Sequence, residues 1–243
     1  MKGNILISRI SDIYTLCNKY HSPRFSDFLD EREQTEILEE FPDAVLFGGC
    51  SGAERRMLGA FPDRQEPDTS LFPIKVLIFT KRGDKILTHR HYLGTILSLG
   101  IDRAKVGDIL IDGDNAYVFL SEDIAEYIKN GIDKIAGTGV TSEIKVCADV
   151  PIPEKKFENI DAVCASMRLD AVLAGVLNKS RSEIKKIILS GKIAVNHIDA
   201  LNPDCILKEN DLLSIRGFGR VRVSVIGGTT RSGRLHITLK KYI

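Results

Sequence analysis

The stretch Arg168–Asn196, RLDAVLAGVLNKSRSEIKKIILSGKIAVN, followed by Asn210–Arg222, NDLLSIRGFGRVR, decides how this chain is read. Leu169, Val172, Leu173, Val176 and Leu177 recur at helical spacing and predict one buried helix face. Ser180-Arg181-Ser182-Glu183 has the form of a capping box. The Ser180 hydroxyl can accept the third backbone N–H of a second helix, and Glu183 can reach back. On that helix Ile184, Ile187 and Ile188 face inward, while Arg181 and Lys185, four apart, line the outside with Lys186 beside them. Gly191 ends the helix, and Ile193 and Val195 alternate with Lys192, Ala194 and Asn196 on a short strand. The unit is a small α+β domain of helix, tight turn, helix and strand.

Its charges fall where phosphates can be met. A helix start offers backbone N–H groups to an anion, and this one lies beside paired cations. A second cluster, Arg216, Arg220 and Arg222, surrounds Gly217 and Gly219, whose missing side chains would let a nucleic-acid backbone come close. Strand alternation puts Arg220 and Arg222 on one face and Val221, Val223 and Val225 on the other. From Arg168 onward the chain carries 14 Lys and Arg against 6 Asp and Glu, whereas the remainder carries 20 against 27. A net charge of +1 therefore hides a basic C-terminal third beside an acidic remainder, the pattern of a polyanion-binding module carried by a region with another task. The candidate RNA-binding residues are Arg168, Lys179, Ser180, Arg181, Lys185, Lys186, Lys192, Asn196, Arg216, Arg220 and Arg222. Arg216-Gly217-Phe218-Gly219 imitates an aromatic RNA-recognition signature, but Arg220 and Val223 stand where that signature needs aromatic rings, so it is read as a decoy.

The rest of the 243 residues can bury real cores and predicts an α+β protein of three domains, 1–72, 73–155 and 156–243. Residues 2 to about 40 read as helical, with Ser22-Pro23 restarting a helix before Phe25, Phe28 and Leu29, and with Asp30 to Glu40 as a solvated acidic face. Val45–Phe47 and Arg56–Phe61 read as hairpin strands, and Gly48-Gly49-Cys50-Ser51-Gly52 as the glycine turn between them in preference to an anion nest. Pro62 to Pro73 reads as a polar loop. Strand Ile74–Phe79, a helix from about Arg90 to Gly100, strands Asp108–Ile111 and Ala116–Leu120, a Ser121-capped helix to Gly131 and strand Ile144–Ala148 give the order β-α-β-β-α-β of ferredoxin-like and RNA-recognition folds. Tyr117 and Phe119 share a sheet face and could stack bases; with no cations close by, they are read as core. Pro151 to Lys156 is the linker, and the domain boundary is placed near residue 155.

Five scattered cysteines with no C-x-x-C pair indicate reduced, buried thiols and neither a disulfide framework nor a zinc site. No apolar run is long enough to span a membrane and no signal peptide is visible, so a cytoplasmic monomer without cofactors is expected. His89-Arg90-His91-Tyr92 is the one dense titratable cluster. Two histidines at a helix start could serve acid/base chemistry or phosphate binding, but without a third ligand they make no metal site. Arg168-Leu169-Asp170 superficially echoes the catalytic Arg-Leu-Asp of pseudouridine synthases, though no synthase-sized domain stands behind it. An RNA-modifying enzyme that uses the basic domain as an appendage is thus the alternative to a non-catalytic binder.

The sub-motifs Arg168-Leu169-Asp170, Ser180-Arg181, Ile187, Gly191 to Asn196, Asn210-Asp211 and Ile215-Arg216-Gly217 resemble, in order, the RNA-binding domain first described in small-subunit ribosomal protein S-four. Asn210 departs from the glycine usual there. Phe25-Ser26-Asp27-Phe28-Leu29-Asp30, Gly48-Gly49 with Gly52-Ala53-Glu54-Arg55-Arg56, and His89 to Gly94 with Gly107-Asp108-Ile109 extend the resemblance to the bacterial YlmH family over nearly the whole chain. That resemblance implies an RRM-like region joined to an S-four-type domain, binding to the large ribosomal subunit and to rRNA and tRNA, a role in rescuing stalled nascent chains, and a suggested link to cell division. Carried over residue by residue, it implies RNA contacts at Arg168, Ser180, Arg181, Lys185, Lys192, Asn196 and Arg216.

Overall fold

In the computed structural model, which describes residues 2–63, 65–153, 157–196, 198–230 and 233–242, the chain opens with helix α1 (Lys2–Tyr20). The helical restart expected at Ser22-Pro23 does not occur. Arg24–Phe25 instead forms a short strand, β1, paired with Ala60 and Gly59, and the Phe25 ring packs against Phe61 and Phe72. Helix α2 (Glu31–Glu40) starts only at Asp30, where a full capping box is available: Asp30 Oδ1 accepts from the Glu33 amide at 2.9 Å and Glu33 Oε2 accepts from the Asp30 amide at 2.8 Å. Part of the acidic cluster thus caps a helix and is not merely solvated. Strands β2 (Val45–Phe47) and β3 (Met57–Ala60) pair antiparallel and complete a three-stranded sheet ordered β1-β3-β2. Between them, the Glu54 and Arg55 amides hold an anion that the chain itself supplies, the Asp108 carboxylate at 2.9 and 3.0 Å. The Pro62 to Pro73 stretch is less polar in role than expected, because Phe72 is buried in the core beneath it.

The central sheet follows the expected order. Strand β4 (Ile74–Lys81), helix α3 (His89–Ser98), strands β5 (Val106–Asp112) and β6 (Asn115–Ser121), helix α4 (Glu122–Gly131), and strands β7 (Lys134–Ile135) and β8 (Thr138–Val146) form an antiparallel sheet ordered β5-β6-β4-β8-β7. Strand β8 begins well before Ile144 and stops short of Ala148, which lies in a 3-10 turn, Cys147–Asp149. One sheet face packs on α3 and α4 through Leu77, Phe79, Tyr92, Ile96, Val118, Leu120 and Ile128. The opposite face presents Val76, Ile78, Tyr117 and Phe119, and it is covered by Phe28, Met57, Phe72 and Val150. Phe119 is completely buried. Gly49 approaches it so closely, at φ +93°, that a Cβ there would lie 2.5 Å from the Phe119 ring. The face that an RNA-recognition domain leaves open for bases is therefore filled by residues 28–72 of the same unit.

Two compact units result, Met1–Pro153 and Glu154–Ile243. The boundary expected near residue 155, with Lys155 and Lys156 of the linker, lies outside the described residues. The second unit opens with strand β9 (Phe157–Cys164), which the sequence reading lacks, and continues with helices α5 (Leu169–Leu177) and α6 (Arg181–Leu189). Strands β10 (Ile193–Val195), β11 (Ile198–Asp199), β12 (Leu212–Ile215), β13 (Gly219–Thr229) and β14 (Leu235–Tyr242) follow. They form a six-stranded sheet ordered β11-β10-β12-β13-β14-β9. Leu169, Val172, Leu173, Ile184 and Ile188 pack on Ile193, Leu213, Ile215, Val221, Val223, Ile237 and Leu239 in one core. Val225 departs from the expected alternation and is 51% exposed, because the register with β14 shifts between Val223 and Val225 and a bulge carries the strand one residue out of phase. The five cysteines are thiols not joined in disulfides; Cys17 and Cys164 are buried, whereas Cys50, Cys147 and Cys205 are only half-buried.

Candidate nucleic-acid interface

Helix α6 is capped as its sequence predicts. Ser180 Oγ accepts the Glu183 amide at 3.3 Å, Glu183 Oε2 accepts the Ser180 amide at 3.0 Å, and the Ser180 hydroxyl donates to the same carboxylate at 2.6 Å. These bonds, with the Ser180 backbone and nearby lysines, hold the Glu183 carboxyl below its ordinary range. Ser180 is thus engaged in building the helix start. Lys179, Lys185, Lys186 and Lys192 are all exposed, and the buried Ile184 and Ile188 on the opposite face orient the helical pair outward.

Arg168 and Arg181 have a different setting. Asp170, in the first turn of α5, is completely buried. Its Oδ1 accepts from Arg168 Nε at 3.2 Å, and its Oδ2 accepts from Arg168 Nη2 at 3.3 Å and from Arg181 Nη2 at 2.7 Å. Arg168 also donates to Asp204. Burial alone pushes the Asp170 carboxyl up, and the hydrogen bonds and charges of Arg168 and Arg181 more than reverse this, leaving it below the ordinary carboxylate range. Arg181 therefore clamps α6 to α5 through Asp170, and Arg168 ties the start of α5 to Asp204, while the two keep 50% and 33% of their side-chain surface exposed. The sequence offers one signal for this clamp, an acidic residue at the start of an otherwise apolar helix.

Asn196 is likewise a structural residue. It turns the chain after β10 at φ +48°, its Oδ1 accepts the Leu212 amide, and its Nδ2 donates to Asp211 Oδ1, both at 2.8 Å. Asn196→Ala should cost about 1–2 kcal/mol of stability by losing both bonds and straining the left-handed turn. RNA affinity of the folded variant at fixed salt should be unchanged, and a loss of affinity would show that Asn196 meets RNA directly.

Lys192, Arg216 and Arg220 come together. The Arg216 amide donates to the Lys192 carbonyl at 2.9 Å, and Ser214 lies opposite Arg220 in the β12–β13 pair. Immediately past the end of α6 this arrangement leaves a groove of about 310 Å³ lined by Gly191, Lys192, Ala194, Asp199, Ser214, Arg216, Gly219 and Arg220. Gly217 and Gly219, at φ +89° and +117°, supply the left-handed backbone of the turn that closes it, and nothing lies within 4 Å of where their side chains would start. Arg222 sits apart, donating to the Tyr242 hydroxyl and the Asn210 carbonyl, both at 3.1 Å. A cation that the sequence reading lacks, Lys241, lies over the Phe218 ring of the same turn at 4.7 Å.

In the first unit, His91 completes the cap of α3, its Nδ1 accepting a hydrogen bond from the Thr88 amide at 3.0 Å. Tyr117 and Phe119 share the covered sheet face, where Phe119 is completely buried and Tyr117 half-buried.

This geometry has counterparts among known proteins. Residues 65–148 match the family model described as "Putative RNA-binding domain in YlmH", and residues 167–213 match the S4 domain. Over 224 residues the chain is 30% identical to "Ribosome-associated protein quality control protein P2" of Bacillus subtilis (strain 168), covering 90% of this chain and 87% of that one. The chain belongs to the YlmH family. It is also similar to a solved YlmH structure, "Cell division protein ylmH from Streptococcus pneumoniae", at 21% identity over 61% of this chain and 89% of that one, with a TM-score of 0.47. In this YlmH chain the S4 match spans both helices, the Asp170 clamp, Lys192 and strand β10, while Arg216 and Arg220 of the groove lie just beyond its end. The other YlmH match falls on the unit whose central sheet is covered on both faces.

Proposed function

We propose that this YlmH-family chain is a non-catalytic protein that grips structured RNA, rRNA or tRNA, on the large ribosomal subunit during translation or the rescue of stalled nascent chains. The observation that carries this reading is the groove in which Lys192, Arg216 and Arg220 converge just past the end of α6, whose outer side carries Lys185 and Lys186. Cations at this spacing on rigid elements suit a folded phosphate backbone, which is read by shape more than by base identity. The printed name of the Bacillus subtilis relative, a ribosome-associated quality control protein, supports the ribosomal setting.

Residues 156–243 form the main RNA grip in this reading, and residues 1–72 serve 73–155 as a cover for its sheet. The non-catalytic reading is favoured over a pseudouridine-synthase-like one by the state of Asp170. A carboxylate with no exposed surface, held on both oxygens by two arginines, is poorly placed to attack a nucleotide.

Sedimentation through sucrose gradients with purified ribosomal subunits tests the proposal. The full-length protein should travel with the large subunit, and Lys185→Gln with Lys186→Gln should shift most of it to the top of the gradient. Comigration of the double variant with the large subunit, or of the wild type with the small subunit alone, would count against the proposal. These two lysines are better targets than Arg181, whose loss would also disturb the fold through Asp170.

A further inference from the structure

The six-stranded sheet of the second unit has two faces, and the groove uses only one edge of it. Helices α5 and α6 cover one face. The other is followed by register: Arg222 lies opposite Lys240, Lys240 opposite Asn159, and Tyr242 opposite Phe157. Residues two apart on a strand share a face, so Arg220, Arg222, Lys240, Tyr242, Asn159 and Phe157 stand on the same surface. Their exposure agrees. Phe157 is 41% exposed and, further along the same face, Val163 is 39% exposed.

Two aromatic rings and their cations are arranged together there. Phe157 and Tyr242 meet edge to face with centroids 5.0 Å apart. Arg220 lies 5.0 Å from the centre of the Tyr242 ring, and Lys240 lies 5.8 Å from the centre of Phe157. Arg222 donates to the Tyr242 hydroxyl. Two acids on this face stand away from the rings: Asp161 lies toward the other end of β9 and accepts a hydrogen bond from Thr238 at 2.7 Å, and Asp199 lies on β11 at the opposite edge of the sheet, in the groove. The aromatic end of the surface is thus strongly cationic.

We propose that this open sheet face is a second RNA-contact surface, one that takes a single-stranded segment with its bases stacked on Phe157 and Tyr242 and its phosphates at Arg220, Arg222 and Lys240. Partly exposed π-faces interleaved with Arg and Lys on an antiparallel sheet are the elements with which sequence-tolerant single-strand surfaces are built. A purely apolar protein partner would bury the charge of this surface without offering any of opposite sign, whereas a polyanion matches it. Arg220 belongs both to this face and to the groove lining, so the surface continues the groove, and the central domain's covered sheet leaves this role to the second unit. The proposal rests on the RNA-binding reading above and adds to it an adjoining surface for a distinct RNA form.

The sequence contains no tryptophan, so Phe157→Trp in the full-length protein installs a single reporter on this face. Titration with an unpaired oligoribonucleotide of about 12 nucleotides should quench its emission, as a stacked base does, and Phe157→Leu with Tyr242→Leu should weaken that binding about tenfold or more. A structured hairpin RNA, titrated in parallel, reports on the α6 surface and the groove through its dependence on Lys185, Lys186 and Lys192. Unchanged emission and unchanged single-strand affinity, with the hairpin still bound through those lysines, would overturn this proposal and leave the RNA-binding reading standing. Binding of neither RNA would overturn both. The tryptophan reporter keeps an aromatic ring in place, so its answer does not depend on whether the double leucine variant folds.

Discussion

Asp170→Ala is expected to lower the stability of the second unit by about 2–3 kcal/mol, below the 3–5 typical of breaking a fully buried ion pair because both guanidiniums retain contact with water. The loss should appear as faster hydrogen exchange of the α5 and β12 amides in the full-length protein, with the amides of the central sheet unaffected. Equal protection in α5 would show that the clamp contributes nothing. The same residue gives a pH signature. Its carboxyl is depressed in the folded state, so its contribution is complete above the unfolded value, roughly pH 4, and is lost as the pH falls through the lower folded value. Wild-type protection of α5 should therefore decline below about pH 4 more steeply than that of Asp170→Asn, which has no proton to gain there.

Replacing Lys185, Lys186, Lys192 and Arg216 together with Gln should produce the largest functional change. If each meets one phosphate, the slope of log affinity against log salt becomes shallower by roughly 3, and affinity for structured RNA at physiological salt falls about a hundredfold or more. All four side chains are exposed, so the variant should melt close to the wild type. Fluorescence anisotropy with a labelled hairpin at several salt concentrations measures the slope. An unchanged slope would place the RNA elsewhere on the protein.

Much of this architecture was legible because its signals are local. The Ser180 cap, the apolar spacing of α5 and α6 and the β-α-β-β-α-β order each depend on residues within a few positions of one another, and each is found in the structure. What escaped the sequence depends on distant partners. Strand β9 pairs with β14 at the far end of its unit, and its inward residues are few, Ile160, Ala162 and Cys164, while Glu158 at the same phase is exposed, so the alternation is blurred. The candidate site was legible in composition more than in role. Charge counting selects Arg168, Arg181 and Lys185 alike, and only the burial of Asp170 separates the two clamping arginines from the exposed lysine. Asn196 stands among the cations in the sequence pattern, yet both ends of its amide are spent on Asp211 and Leu212.

The covered face of the central sheet has a further consequence, for the order in which the chain can be built. Phe28 and Met57 leave the ribosome before the strands they will cover, and Val150, in the same core, leaves last. During synthesis the early aromatic segment must wait, with its apolar side chains unsheltered, until nearly the whole first unit has emerged. Such long-range closure is slow and exposes the nascent chain to aggregation in the interval. Residues 1–72 made alone would retain this difficulty permanently, and the first unit is best regarded as a single cooperative translation product.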